Sequence, residues 1–151
     1  MGDTNADGVL QARRFAMDAL ARREHSVQEL ERKLESKDLD PRDVRIALTE
    51  LQADGLLSDE RFAEALVSSW SRRGKGPLRI RHDLKNKGVS EVLIDQALES
   101  SHTDWYALAR EVMAKKFGAS SAQDIKERAK RSRFLHYRGF DGEQIRHALE
   151  N

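Results

Sequence analysis

The side chains able to do acid–base, metal or nucleophilic chemistry are few here, and their spacing argues against all three. The five histidines are His25, His82, His102, His136 and His147. None belongs to an HExxH motif, and no two stand at i, i+4 on one expected helix, the spacing that puts two imidazoles on one metal. His82 sits beside Arg81 and Asp83 in a basic run, and His25 just precedes a helix cap, so polar-surface and helix-end roles fit them. Asp59 and Glu60 are adjacent and cannot face each other across a bond; two carboxylates at the positive end of a helix dipole account for them. Ser58, Ser68, Ser69 and Ser71 have no GxSxG context. Gly74-Lys75-Gly76-Pro77 is too short to wrap a triphosphate and lacks the GK[ST] ending. Asp124 and Asp141 lack EF-hand spacing. With no cysteine, disulfides, Cys-ligated zinc and thiol catalysis are excluded. The expectation is a protein that is not an enzyme and uses no metal and no cofactor.

Charge is the chemistry that remains. The chain has 27 Lys+Arg against 26 Asp+Glu, a net charge of +1 that conceals a segregated pattern. Met1–Glu60 holds nine basic and fourteen acidic residues, whereas Ser71–Lys87 holds seven basic residues and only Asp83. Those seven are Arg72, Arg73, Lys75, Arg79, Arg81, Lys85 and Lys87. A second run is Lys126, Arg128, Lys130, Arg131 and Arg133. Arg22 and Arg23 are weaker candidates because Glu24 and Glu29 adjoin them. Basic runs of this density point to an anionic partner, either phosphates or acidic side chains; the competing reading is a solvated, salt-bridged helix surface. The Gly74–Pro77 loop is expected to present backbone amides at a helix N-terminus, where anions are favoured. Trp105 and Tyr137 fall at helical spacing and are assigned to the core rather than to base stacking.

The elements that must carry these residues read as short helices. Two prolines and nine glycines in 151 residues are too few breakers for a β-sandwich or barrel. No window approaches the ~18 apolar residues of a membrane span. Met1–Gly8 lacks a basic stretch followed by an apolar one, so a soluble, cytoplasmic protein is expected. Val44, Ala47, Leu48 and Leu51 keep the i, i+3, i+4, i+7 spacing, and Phe62, Leu66 and Trp70 form an i, i+4, i+8 stripe. Ser26 with Glu29 has capping-box spacing, and Asp40-Pro41 and Gly76-Pro77 place proline at a first helical position. Nine helices are expected: Val9–Arg23, Val27–Lys37, Pro41–Asp54, Asp59–Arg73, Pro77–Lys87, Glu91–Ser100, Asp104–Lys116, Ala122–Arg138 and Gly142–Glu150.

Three segments superimpose without gaps. They start at Leu34, Leu84 and Leu135 and reach a turn at Asp38, Gly88 and Gly139. Each then seats an apolar residue (Leu39, Val89, Phe140) and ends its next helix in Ala-Leu. In the third copy Arg131 occupies the place of Leu30 and Ile80. Units this small bury little apolar surface alone and are expected to stack. The expected fold is therefore all-α. Three tandem three-helix modules, at residues 9–54, 55–103 and 104–151, form an elongated, curved, monomeric body behind a flexible 1–8 terminus.

Four stretches, in this order, resemble the RecX family: ALARREHSVQELERKL (Ala19–Leu34), GLLSDERFAEAL (Gly55–Leu66), RGKGPLRIRHDLKNKGV (Arg73–Val89) and RFLHYRGFDGEQI (Arg133–Ile145). Asp38 departs from the glycine of the other two turns. The resemblance implies a regulator of the RecA recombinase that lies in the helical groove of the RecA–DNA filament. It further implies inhibition of filament extension, ATP hydrolysis, strand exchange and coprotease activity, with DNA touched directly by some members. The two basic runs would be the contacts. The rival reading is a free-standing DNA-binding protein of helix-turn-helix type, although the last helix of each module is not notably basic.

Overall fold

The computed structural model describes residues 6–150, and those residues form helices joined by short turns. In chain order they are α1 (Ala6–Arg22), α2 (Val27–Glu35), α3 (Pro41–Ala53), α4 (Asp59–Arg72), α5 (Pro77–Asn86), α6 (Glu91–Ser100), α7 (Trp105–Phe117), α8 (Ile125–Arg138) and α9 (Gly142–Glu150). Helix α1 starts three residues before the expected Val9, so Ala6–Gly8, expected to be flexible, are helical and Gly8 is buried. The rest of that expected terminus, Met1–Asn5, lies outside the described residues. Helix α8 starts three residues later than expected, because Asp124 caps it, accepting from the Glu127 amide.

The caps explain why the helices begin where they do. Ser26 forms a complete capping box: its Oγ accepts from the Glu29 amide and Glu29 Oε1 accepts from the Ser26 amide. Ser58, Ser90 and Asp104 cap α4, α6 and α7 more simply, each side chain accepting from the amide three residues on. The second helix of each module ends on a left-handed residue, Asp38 (φ 60), Gly88 (φ 82) or Gly139 (φ 100). Asp38 therefore does take the glycine conformation, which Asp tolerates better than most side chains. The turn swings Val89 and Phe140 into the core, and Leu39 against it.

Each module has its own core. Leu30, Leu34, Val44 and Leu51 centre the first, Phe62, Val67, Ile80 and Ile94 the second, and Val112, Leu135, Phe140 and Ile145 the third. Among the described residues, every hydrogen bond between modules joins the first to the second or the second to the third. The modules thus follow one another in a line. The solvent-accessible surface of 9406 Å² exceeds the about 7,800 Å² expected of a compact domain of this mass, as an extended row of small cores requires.

Arg131 shows how the third module departs from the repeat. It fills the slot of Leu30 and Ile80 and, like them, is buried. Its Nε donates to Glu127 at 3.2 Å and one terminal nitrogen to the Ser120 carbonyl at 2.9 Å, stitching the longer α7–α8 loop to α8. It is a structural residue, not part of a free basic face. Arg131→Ala strands Glu127 and leaves a hole, so we expect a loss of about 2–3 kcal/mol, read as a drop of roughly 5–10 °C in Tm. Arg131→Leu should recover most of it by restoring the apolar residue of the other two copies.

Candidate functional site

The site is made at the two joints between modules, where second helices meet end to end. At the first joint, α5 ends against the start of α2. Ser26 Oγ, already accepting within its capping box, donates to the Lys87 carbonyl at 2.7 Å, and the Val27 amide donates to Asp59 Oδ1 at 2.8 Å. At the second joint, α8 ends against the start of α5. The Gly76 amide donates to the Arg138 carbonyl at 2.8 Å and the Leu78 amide to the Gly139 carbonyl at 2.9 Å. At the second joint free carbonyls at one helix end thus satisfy free amides at the next, whereas at the first the Ser26 hydroxyl and the Asp59 carboxylate take those roles.

This overturns the expectation that the Gly74–Pro77 loop offers amides to an anion. Those amides are already occupied: Gly74 and Lys75 donate to the Ser71 and Trp70 carbonyls of α4, and Gly76 donates to the Arg138 carbonyl of α8. The glycines serve close approach instead: a Cβ on Gly76 would lie 2.5 Å from the Gly139 carbonyl group, and one on Gly139 2.3 Å from Arg79 Cβ.

Glu29 holds the first joint together electrostatically. Arg23 approaches it at 3.1 Å and Lys87 of the next module at 3.2 Å. Burial pushes its carboxyl up, but hydrogen bonds from Arg23, the Ser26 amide and Lys87 outweigh burial and hold it down at about 2. A depressed carboxyl stabilises the fold above its ordinary value of 4.5 and loses that contribution as pH falls through about 2. The contribution is at most about 3 kcal/mol. Chemical denaturation at stepped pH should show wild-type stability falling across that acid window, and Glu29→Gln should flatten the fall. His25, also buried, has its pKa lowered by burial, against the opposing hydrogen bond with the Arg23 carbonyl.

The joints leave three clefts that share walls. The first, about 670 Å³, lies between modules one and two and is bordered by Arg32, Lys33, Lys75, Arg79 and Lys87 over Leu66 and Trp70. The next shares Trp70, Leu66 and Lys87 with it and reaches Arg73. The third shares Arg73 and carries Arg72, Lys115, Lys116 and Arg138 between modules two and three. Together they make one trough crossing both joints, with eleven Lys or Arg side chains on its walls and four Asp or Glu. Trp70 marks its centre. Lys75 Nζ stands 3.7 Å and Arg73 Cζ 5.0 Å from its ring, close enough for the ring's negative face to hold both cations in place.

The basic residues expected from sequence divide into two groups. Arg72, Arg73 and Lys75 lie on the trough and pair with no carboxylate among the described residues; Arg72 donates only to Ser68. The others on α5 are neutralised locally. Arg81 meets Glu91 at 3.2 Å and Asp95 at 2.7 Å, Lys85 meets Glu91 at 3.3 Å, Lys87 meets Glu29, and Arg79 stands 3.7 Å from Asp83. Arg81 and Lys85 point to α6 and line none of the three clefts. In the third module Lys126, Arg128, Lys130 and Arg133 are exposed on α8, outside the trough.

Sequence reasoning missed Arg32, Lys33, Lys115, Lys116 and Arg138. Each sits near the end of a helix, where a cation reads as a dipole partner, and only the joints gather them. It also placed Tyr137 in the core, yet that ring is 75% exposed. Trp105 does pack partly buried against the second core. Among the described residues no three His, Asp or Glu side chains converge as a metal site, and no helix is long and apolar enough to cross a membrane.

Three cores in a row define a tandem three-helix repeat protein, with a long cationic trough across its joints. Family models described as the first, second and third three-helix domains of RecX match residues 12–51, 58–98 and 103–149. A regulatory protein RecX of Pseudomonas fluorescens is 43% identical over 143 residues, covering 95% of this chain and 92% of that protein. One from Chromohalobacter salexigens is 46% identical over 134 residues, covering 89% and 88%. The crystal structure of RecX from Lactobacillus salivarius superimposes with a TM-score of 0.80 at 23% identity, covering 97% of each chain. The chain belongs to the RecX family of regulatory proteins.

Proposed function

We propose that this protein regulates the RecA recombinase by lying lengthwise in the helical groove of the RecA–DNA filament. Bound there as a monomer, it blocks filament extension and lowers ATP hydrolysis, strand exchange and coprotease activity. It thereby restrains homologous recombination, DNA repair and the SOS response in the cytoplasm. The observation that carries this reading is the trough: a continuous cationic surface crossing both joints, suited to an extended anionic structure rather than to a small ligand. Arg72, Arg73 and Lys75 are its main contacts, being exposed or half-buried and uncommitted to carboxylates of their own chain. Whether they meet phosphate or acidic filament surface, the chemistry of recognition is the same.

The composition of the module-ending helices disfavours a helix-turn-helix reading. The last helix of module two, α6, carries no Lys or Arg, so it has no cation with which to enter a DNA groove. The test is DNA-dependent ATP hydrolysis by the recombinase with increasing amounts of this protein. Hydrolysis should fall with dose; unchanged hydrolysis at saturating protein overturns the reading.

A further inference from the structure

We infer that the protein bends at its first joint, and that the cleft there is a pair of cationic jaws that closes on an acidic segment of a protein partner. The closure rests on the reading of the trough as the seat of an anionic partner; the bend does not. The two joints are built differently. At the second, backbone meets backbone: the Gly76 and Leu78 amides donate to the Arg138 and Gly139 carbonyls, and neither Gly76 nor Gly139 has room for a Cβ. Modules two and three are thereby locked as one body. At the first joint, beyond the α3–α4 turn, every bond described needs a side chain. Ser26 Oγ donates to the Lys87 carbonyl, the Val27 amide to Asp59, Arg61 Nε to Glu24 at 2.9 Å, and Lys87 pairs with Glu29. Side chains can follow a rotation that close backbone contact forbids. The covalent link is as slight. Leu57 is buried in the first core and α4 starts at Asp59, so Ser58 alone lies between them. One or a few such residues suffice to absorb the backbone change of a hinge.

Charge sets the resting position. Arg32 and Lys33 of α2 line one wall of the cleft, and Lys75 and Arg79 of module two line the other. Arg32, Lys33 and Lys75 pair with no carboxylate among the described residues, and Arg79 has Asp83 only at 3.7 Å. Like charges on facing walls hold the jaws apart, and an anion between them replaces repulsion by attraction to both. The floor selects the kind of anion. It is Leu66 and Trp70, and Lys75 Nζ stands 3.7 Å from the centre of the Trp70 ring, where a stacked base would have to lie. A protein segment offers carboxylates to the walls and an apolar side chain to the floor. A phosphate backbone offers only the first.

The chain has no cysteine, so spin labels attach only where one is introduced. Thr49→Cys with Gln96→Cys spans the first joint, and Gln96→Cys with Ala114→Cys spans the second; all three positions are exposed. Distance distributions between the labels are read by electron resonance on the whole chain without recombinase. Each pair is measured alone, with an alternating glutamate–leucine peptide, and with an oligothymidylate. The first joint should be broad in the free protein and the second narrow. The peptide should narrow the first distribution and shift its mean by more than about 2 Å, the scale of hinge closure on binding, and leave the second unchanged. Arg32→Gln with Lys33→Gln changes two exposed side chains, so the fold should survive, which circular dichroism checks. That variant should already lie near the closed mean when free and should lose most of the peptide's shift. Equal widths at the two joints overturn the bend. A first joint that the peptide leaves unmoved, that oligothymidylate moves instead, or that responds to the peptide as before in the double variant overturns the closure. With no recombinase present, each of these failures leaves the filament reading to its own ATPase test, and a failed ATPase test leaves the measured motion of the joint standing.

Discussion

Gly76→Val should separate module three from module two without unfolding either. A Cβ at position 76 would lie 2.5 Å from the Gly139 carbonyl group and 2.6 Å from the Phe140 amide nitrogen. All are backbone atoms, held by a turn whose Phe140 is fully buried, so no side chain can swing aside to make room. The substitution must open the joint and break the bonds from the Gly76 and Leu78 amides, leaving two donors and two carbonyls without their partners. We expect a loss of about 2–4 kcal/mol at this joint. Hydrogen exchange should show the Leu78 amide losing protection while the amides around Ile94 and Ile145 keep theirs. Small-angle scattering should show a larger radius of gyration. At the first joint a Cβ on Gly88 would lie 2.8 Å from Gln28 Cβ, and the left-handed φ of 82 at Gly88 also disfavours a side chain there. Since the trough crosses the opened joint at Arg73, Gly76→Val should also impair inhibition of the recombinase.

Reversing Arg72, Arg73 and Lys75 together to Glu should weaken filament binding by roughly 100-fold, at about 1 kcal/mol for each exposed ion pair with the filament that the change removes. The fold should tolerate the change, because none of the three is ion-paired to its own chain among the described residues. The matched control is Lys85→Gln, which gives up one exposed pair with Glu91 outside the trough and should leave binding nearly intact. Reversal of Arg81 is a poorer probe: it would set like charge against Glu91 and Asp95 and test the α5–α6 packing instead.

The division between what the sequence shows and what it hides follows the range of the interactions. Caps act over three residues, so Ser26 with Glu29, Asp40-Pro41 and Ser58 mark helix starts that the structure keeps. The repeat exposes the core slots, and even Arg131 was readable as an intruder in an apolar position. Charge was legible as a run but not as a surface. Arg81 and Lys85 lie in the densest basic stretch, yet carboxylates up to 14 residues further on consume them. Lys115 and Lys116, which no run singled out, come to the trough beside Arg72 and Arg73. The Gly74–Pro77 loop resembled an anion cradle because its true partner, the α8 terminus, is more than 60 residues away in the chain. Tyr137 kept helical periodicity while facing outward, because spacing assigns a face and not its neighbours.

The central claim is that the cationic trough holds this protein on the filament, and co-sedimentation with preformed RecA–DNA filaments across a salt series tests it most directly. The protein should pellet with filaments at low salt, its log affinity should fall linearly with log salt, and the slope should shrink by about two to three in the Arg72, Arg73, Lys75→Glu variant. Binding that ignores salt, or a variant whose slope matches the wild type, would contradict the account.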